Sequence, residues 1–204
     1  MKFVGLYDKI IKTHSGGRKK AKKMKKIEHP EEIIPSRETR LSEIREKYAR
    51  YNDDEACNED EFFMDCALEA ATVAGDGGDV PVGCAVVRDG RLISVSANGR
   101  EVYRDATYHA ECAAISEACK SLGGWRLVGC TMYVTLEPCP MCAGAIVNAR
   151  VPRVVIGAKD VRFGAMGSLF DLTALPLNHK PETVFGVREN ECRELIRDFF
   201  RKKR

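Results

Sequence analysis

Val82-Gly83-Cys84-Ala85-Val86-Val87-Arg88-Asp89-Gly90-Arg91-Leu92-Ile93-Ser94-Val95-Ser96-Ala97 is the stretch that sets the fold class of this chain. Two β-rich runs, Val82–Val87 and Leu92–Ala97, flank Asp89-Gly90, a dipeptide suited to the positive φ angles of a tight hairpin. Upstream, Phe63, Ala67, Ala70, Ala71 and Ala74 mark the buried stripe of a helix that stops at Gly75-Asp76-Gly77-Gly78. Downstream, the pattern predicts a helix over 109–121, a strand at 130–136, a helix at 140–149 and a strand at 153–157. After a Gly-rich loop at 163–168 come a short strand near 183–187 and a last helix from Asn190 to Lys202. Strands alternating with helices after an opening hairpin imply an α/β fold, a mixed sheet covered by helices.

The 204 residues suffice for one well-filled core and a modest appendage. No run of 18 apolar residues occurs, and the charged first residues do not make a signal core, so a soluble, cytoplasmic protein without a membrane span is expected. The nine cysteines are odd in number and several sit in apolar runs, which points to a reducing compartment and not to a disulfide framework. The net charge of +3 arises entirely within residues 1–60. It concentrates at Arg18, Lys19, Lys20, Lys22, Lys23, Lys25 and Lys26; a second basic cluster, Arg201 to Arg204, closes the chain. Basic ends on a neutral body suit a polyanionic partner, although solvated tails also read this way. Residues 1–58 are therefore expected to be an extension, partly disordered, with one helix over 40–51 built on Leu41, Ile44 and Tyr48. Pro30 and Pro35 are expected to interrupt what precedes that helix, and residues 59–204 to form the catalytic domain.

Cys139-Pro140-Met141-Cys142 is a C-x₂-C pair, a spacing shared by metal sites, redox sites and half of a zinc ribbon. A ribbon needs a second such pair, and the element order does not match a thioredoxin-like unit. At a helix N-terminus the backbone dipole favours thiolate, the form that binds metal. A tetrahedral catalytic zinc needs a third protein ligand and leaves its fourth position to water, and His109 is the candidate. What singles out His109 is Glu111, a carboxylate able to take a proton from water and return it to a leaving amine. Two positions apart on an ideal helix point about 200° apart, so the pair must lie in an irregular first turn.

His109-Ala110-Glu111 followed by Pro138-Cys139-Pro140-Met141-Cys142 resembles the H-x-E…P-C-x-x-C signature of zinc nucleobase deaminases. Val80-Pro81-Val82-Gly83, Asn98-Gly99-Arg100, Tyr133-Val134-Thr135-Leu136-Glu137, Gly164–Ser168, Leu177-Asn178-His179 and Phe199-Phe200-Arg201 narrow the likeness. Over about 61–204 the chain resembles the bacterial tRNA-specific adenosine deaminases, which convert the wobble adenosine of an anticodon to inosine. The resemblance implies a cytidine deaminase-like three-layer fold with a mixed five-stranded sheet. It implies one Zn²⁺ per chain, a tRNA anticodon stem-loop as partner and a homodimer. It also implies that Asn98 hydrogen-bonds the flipped nucleotide, that the Ala110 N–H and Val82 line the base pocket, and that Asp160 lies near the substrate. Phe200 and Arg201 would follow the stem-loop. The chain departs from the family pattern Asp-Pro-Thr-Ala, which here reads Asp105-Ala106-Thr107-Tyr108; Tyr108 either points outward or narrows the entrance. A deaminase of a free base such as guanine, or an idle RNA-binding subunit, are the competing readings.

Overall fold

The computed structural model describes residues 30–52 and 57–203, with side chains in the first helix from Arg37 onward. The Arg18–Lys26 run and Arg204 lie outside the described residues. The elements are α1 (Pro30–Lys47), α2 (Glu59–Asp76), β1 (Gly83–Arg88), β2 (Arg91–Ala97), α3 (Arg100–Tyr103), α4 (Ala110–Leu122) and β3 (Cys130–Leu136). They continue through α5 (Pro140–Asn148), β4 (Arg153–Ala158), a 3-10 turn at Leu172–Ala174, β5 (Glu182–Phe185) and α6 (Glu189–Lys202). The five strands form one mixed sheet in the order β2-β1-β3-β4-β5. β1 pairs antiparallel with β2 and β3, whereas β3, β4 and β5 run parallel. The hairpin turns on Asp89 (φ 52°) and Gly90 (φ 66°), as its dipeptide predicts.

Strand periodicity divides the core into two layers. Ala85, Val87, Tyr133 and Val155 face α1 and α2, while Cys84, Val86, Met132, Val134, Val154 and Ile156 face α4 and α5. Gly83 lets β1 approach α2 closely: a Cβ there would collide with the Ala67 carbonyl. Asp60 at the start of α2 ties the layers together. It accepts two bonds from Arg153 (2.8 and 2.7 Å) and one from the Tyr133 hydroxyl (3.0 Å). No described helix is long and apolar enough to cross a membrane.

The first helix departs from expectation. It spans Pro30–Lys47, not 40–51, and its backbone runs through Pro35. Pro30 costs nothing at the first helical position, where its missing N–H would be unpaired anyway, whereas Pro35, in the interior, removes one helix bond that the packing of the later turns offsets. Leu41, Ile44 and Tyr48 are all buried in the α2 core cluster, so tertiary packing holds a helix whose own pattern is short. Beyond it, Tyr51 N–H donates to Gly90 O and Leu92 N–H to Ala49 O, which joins the segment to the edge strand β2. From Arg37 onward the chain is thus integral to the packed body.

Candidate active site

Two helix N-termini meet at the C-terminal ends of β2 and β3, beside the start of β1, and each presents from its cap a side chain of a type that can bind metal. His109 caps α4 with extended backbone (φ −82°, ψ 151°), so it stands outside the helix that carries Glu111. That extended residue resolves the 200° conflict of an ideal helix and lets both side chains face one cavity. Cys139 caps α5 in the same manner (φ −70°, ψ 171°), followed by Pro140 in the first turn, and Cys142 lies one turn into the helix. His109 Nδ1 is 3.7 Å from Cys139 Sγ and 3.5 Å from Cys142 Sγ. All three ligand atoms lie within 4.8 Å of one another, a cluster able to coordinate a metal ion.

The electrostatics suit a cation. The Cys139 thiol is pulled down to about 4, by hydrogen bonds from Cys142 first and then His109. Cys142 is pushed up, by hydrogen bonding to Cys112 and Cys139 and by burial. Metal binding takes the thiolate, so a bound cation would displace a thiol proton here. His109 is raised, chiefly by its bond to Cys139. Burial pushes the Glu111 carboxyl up; only 4% of the residue is exposed.

A cavity of about 590 Å³ opens over this cluster, lined among others by His109, Glu111, Cys139, Asn98, Val82 and Asp160. Asn98 ends the β2 side of the wall. Its side-chain N–H donates to Val80 O (3.2 Å) and its backbone N–H to Val82 O (2.8 Å). Asp160 stands on the cavity wall with Oδ1 engaged by the N–H groups of Arg162 (2.9 Å) and Phe163 (3.3 Å). Ala110 is fully buried at the first position of α4 and its side chain does not line the cavity. Phe200 and Arg201 lie on α6 away from the cavity lining; Arg201 pairs with Asp198 (3.3 Å). In the same cluster Lys203 donates to Gly78 O (2.9 Å). His179 is also structural here, its Nε2 lying 2.7 Å from Val151 O. Tyr108 does not narrow the cavity. Its ring packs on Tyr103, with centroids 4.2 Å apart.

Sequence reasoning gave Glu137 no role. It is 3% exposed and accepts bonds from the N–H groups of Asp160 (3.1 Å), Met166 (3.1 Å) and Ser168 (3.0 Å), and from the Ser168 hydroxyl. It thereby folds the 160–168 loop over the cavity, and a Cβ on Gly164 would collide with its carboxyl. An acid closing an apolar strand just before the cysteine pair was the available signal. Arg100, Met141 and Phe163, which also line the cavity, carried no pattern that set them apart.

The profile of the cytidine and deoxycytidylate deaminase zinc-binding region matches residues 57–158. The tRNA-specific adenosine deaminase of Bacillus subtilis (strain 168) is 47% identical over 147 residues, covering 72% of this chain and 91% of the relative. That of Agrobacterium fabrum (strain C58 / ATCC 33970) is 46% identical over 143 residues, covering 70% and 94%. A solved chain from studies of A-to-I editing by tRNA:A34 deaminases at the wobble position of transfer RNA superposes with a TM-score of 0.64 at 44% identity. The superposition covers 65% of this chain and 97% of that one.

Proposed function

We infer the reaction from one premise: this chain belongs to the tRNA-specific adenosine deaminase family, within the cytidine and deoxycytidylate deaminases. It deaminates adenosine to inosine at the wobble position of a tRNA anticodon. The observation that carries this reading is the conjunction, in one cavity, of a His-Cys-Cys ligand set and a buried carboxylate two residues from the histidine.

His109, Cys139 and Cys142 would hold one zinc per chain. With Zn–N of ~2.0–2.1 Å and Zn–S of ~2.3 Å, tetrahedral ligation sets nitrogen and sulfur about 3.6 Å apart. The 3.5 and 3.7 Å separations support that fit. Bound zinc supplies a water acidified toward neutral pH. Glu111 takes a proton from the attacking water and returns it to the purine and the departing amine, so that the C–N bond breaks and ammonia leaves. Burial, which raises this carboxyl, gives it the basicity to accept that proton and the acidity to release it. Asn98 holds the base through its side-chain oxygen, while Val82 walls the pocket and Asp160 stands at its edge. A base paired in a helix hides its amino-bearing carbon, so the substrate nucleotide must be unpaired and splayed, as in an anticodon loop.

The basic residues Arg201 and Lys202 beside Phe200 would meet the stem through its phosphates, positioning without reading sequence. The homodimer implied by family likeness is supported by the exposed apolar side chains Phe163, Leu169, Phe170, Leu175 and Leu177 along one stretch of chain. Nine cysteines without a disulfide, together with a tRNA substrate, support a cytoplasmic setting. The test compares inosine formation in an intact tRNA bearing wobble adenosine with ammonia release from free guanine. Inosine in the tRNA with guanine untouched is expected; the reverse outcome would overturn the RNA assignment.

A further inference from the structure

We propose that the N-terminal helix supports the catalytic pocket from behind, with Arg37 serving as a positioning residue for Asn98. This inference rests on the reading that Asn98 contacts the base. Arg37 is 3% exposed, although it lies in the segment that composition marks as an appendage. Its Nη2 donates to Ala97 O (2.5 Å) and Asn98 O (2.7 Å), the last two carbonyls before the Gly99 turn. With the Asn98 N–H on Val82 O and its side-chain N–H on Val80 O, Arg37 fixes the one remaining backbone group of that residue. The side-chain oxygen is left to face the cavity.

A second contact reinforces the first. The guanidinium carbon stands 5.6 Å from the centroid of Tyr103, whose ring packs on Tyr108 at 4.2 Å. Tyr108 immediately precedes the ligand His109, and its carbonyl accepts the Gly99 N–H (3.1 Å). Both rings press on Gly99, where a Cβ would meet Tyr103 at 2.6 Å and Tyr108 at 2.9 Å. The two departures from the family pattern, the N-terminal extension and the tyrosine before the metal histidine, therefore meet in one cluster behind Asn98 and His109.

Net stability does not account for this arginine. It makes no ion pair among the described residues, and its Nη1 is buried there without a hydrogen-bond partner. A cation held out of water by two carbonyls and a ring face is a poor stabiliser compared with an apolar side chain of similar length. What the cation achieves is geometric: two carbonyls at the end of β2 held at fixed distances.

A double-mutant cycle between Arg37→Met and Asn98→Ala, in the zinc-loaded full chain, tests the proposal. Arg37→Met should keep zinc content and melting temperature, yet lower the single-turnover rate on wobble-adenosine RNA about 10- to 100-fold, the scale of a misplaced contact. In the Asn98→Ala background the same change should cost less than about threefold, since residues that act as a unit are not additive. Arg37→Lys, which can reach a carbonyl but not both with one fork, should recover part of the rate. Equal losses in both backgrounds, or no loss in either, would overturn the proposal. Hydrogen exchange is the readout that does not need turnover. Arg37→Met should deprotect the Asn98 and Gly99 amides while leaving α5 unchanged, and unchanged protection at 98–99 would overturn the proposal. Were the parent inactive on RNA, the deaminase reading would fall, and exchange at those two amides would still decide the role of Arg37.

Discussion

Cys139 and Glu111 illustrate how the same pocket asks opposite things of two side chains. As a zinc ligand Cys139 would be an anion, and its place beside Cys142 and His109 already pulls its thiol to about 4. In the proposed reaction Glu111 would change protonation, and burial raises it. Cys139→Ala is expected to abolish both zinc retention and inosine formation, read by metal analysis and product assay. Full metal occupancy in that variant would exclude Cys139 from the ligand set. Glu111→Gln should retain zinc and fold while losing turnover by at least roughly 10²–10⁴-fold, the usual contribution of general acid–base catalysis. Activity within a few-fold of the parent would exclude the proton-transfer role. Both residues stood out in the sequence through their spacing together with the resemblance to the deaminase signature, because a metal site imposes a donor set that few chains contain by chance. Glu137 and Arg37 were not, since each acts by accepting from or donating to backbone groups that adjoin it only after folding.

At the level of elements, the hairpin and the helix-strand alternation followed from turn chemistry and periodicity, and the sheet order joins them in one mixed sheet. Short pieces escaped: α3 has four residues and the 3-10 turn three, too few for a period to register. The junction of α2 with β3 and β4 carries a pH-dependent contribution. Arg153 first, with Tyr133, holds the Asp60 carboxyl below its ordinary range against the opposing effect of burial. Because the folded value lies below the unfolded one, this contribution is complete above the unfolded pKa of ~3.9 and disappears as pH falls through the folded pKa. Asp60→Asn should lower stability by about 1–3 kcal/mol at neutral pH, where a half-buried charged bond is lost. Denaturant unfolding at stepped pH should show parent and variant converging below about pH 4. A constant gap down to pH 2 would assign the loss to packing.

For the whole molecule, composition suggested a boundary at residue 58, whereas burial of Arg37, Leu41, Ile44 and Tyr48 puts the second half of α1 inside the packed body. Truncations separate the two parts. Removing residues 1–29, with the Arg18–Lys26 run, should weaken RNA binding and flatten its salt dependence by about 0.7–0.9 in slope per lost phosphate contact, leaving the saturating single-turnover rate unchanged. Removing 1–58 should also destabilise the fold and slow that rate, because Arg37 and the β2 edge contacts go with it. Filter binding at several salt concentrations and quenched single-turnover assays distinguish these outcomes; equal rates for both truncations would return α1 to the status of an appendage. By itself the sequence determined the α/β class and pointed to the His-Cys-Cys cluster able to hold a metal ion and to the acid beside it, since these depend on local periodicity and on residue types whose chemistry is fixed before folding. Only the tertiary structure decided that the N-terminal helix packs behind Asn98 through Arg37, that Tyr108 turns away from the cavity onto Tyr103, and that Glu137 holds the loop above it. The first and last of these depend on which buried donors find which carbonyls and carboxylates across 23 to 60 residues of chain, a pairing that burial enforces and no local pattern records.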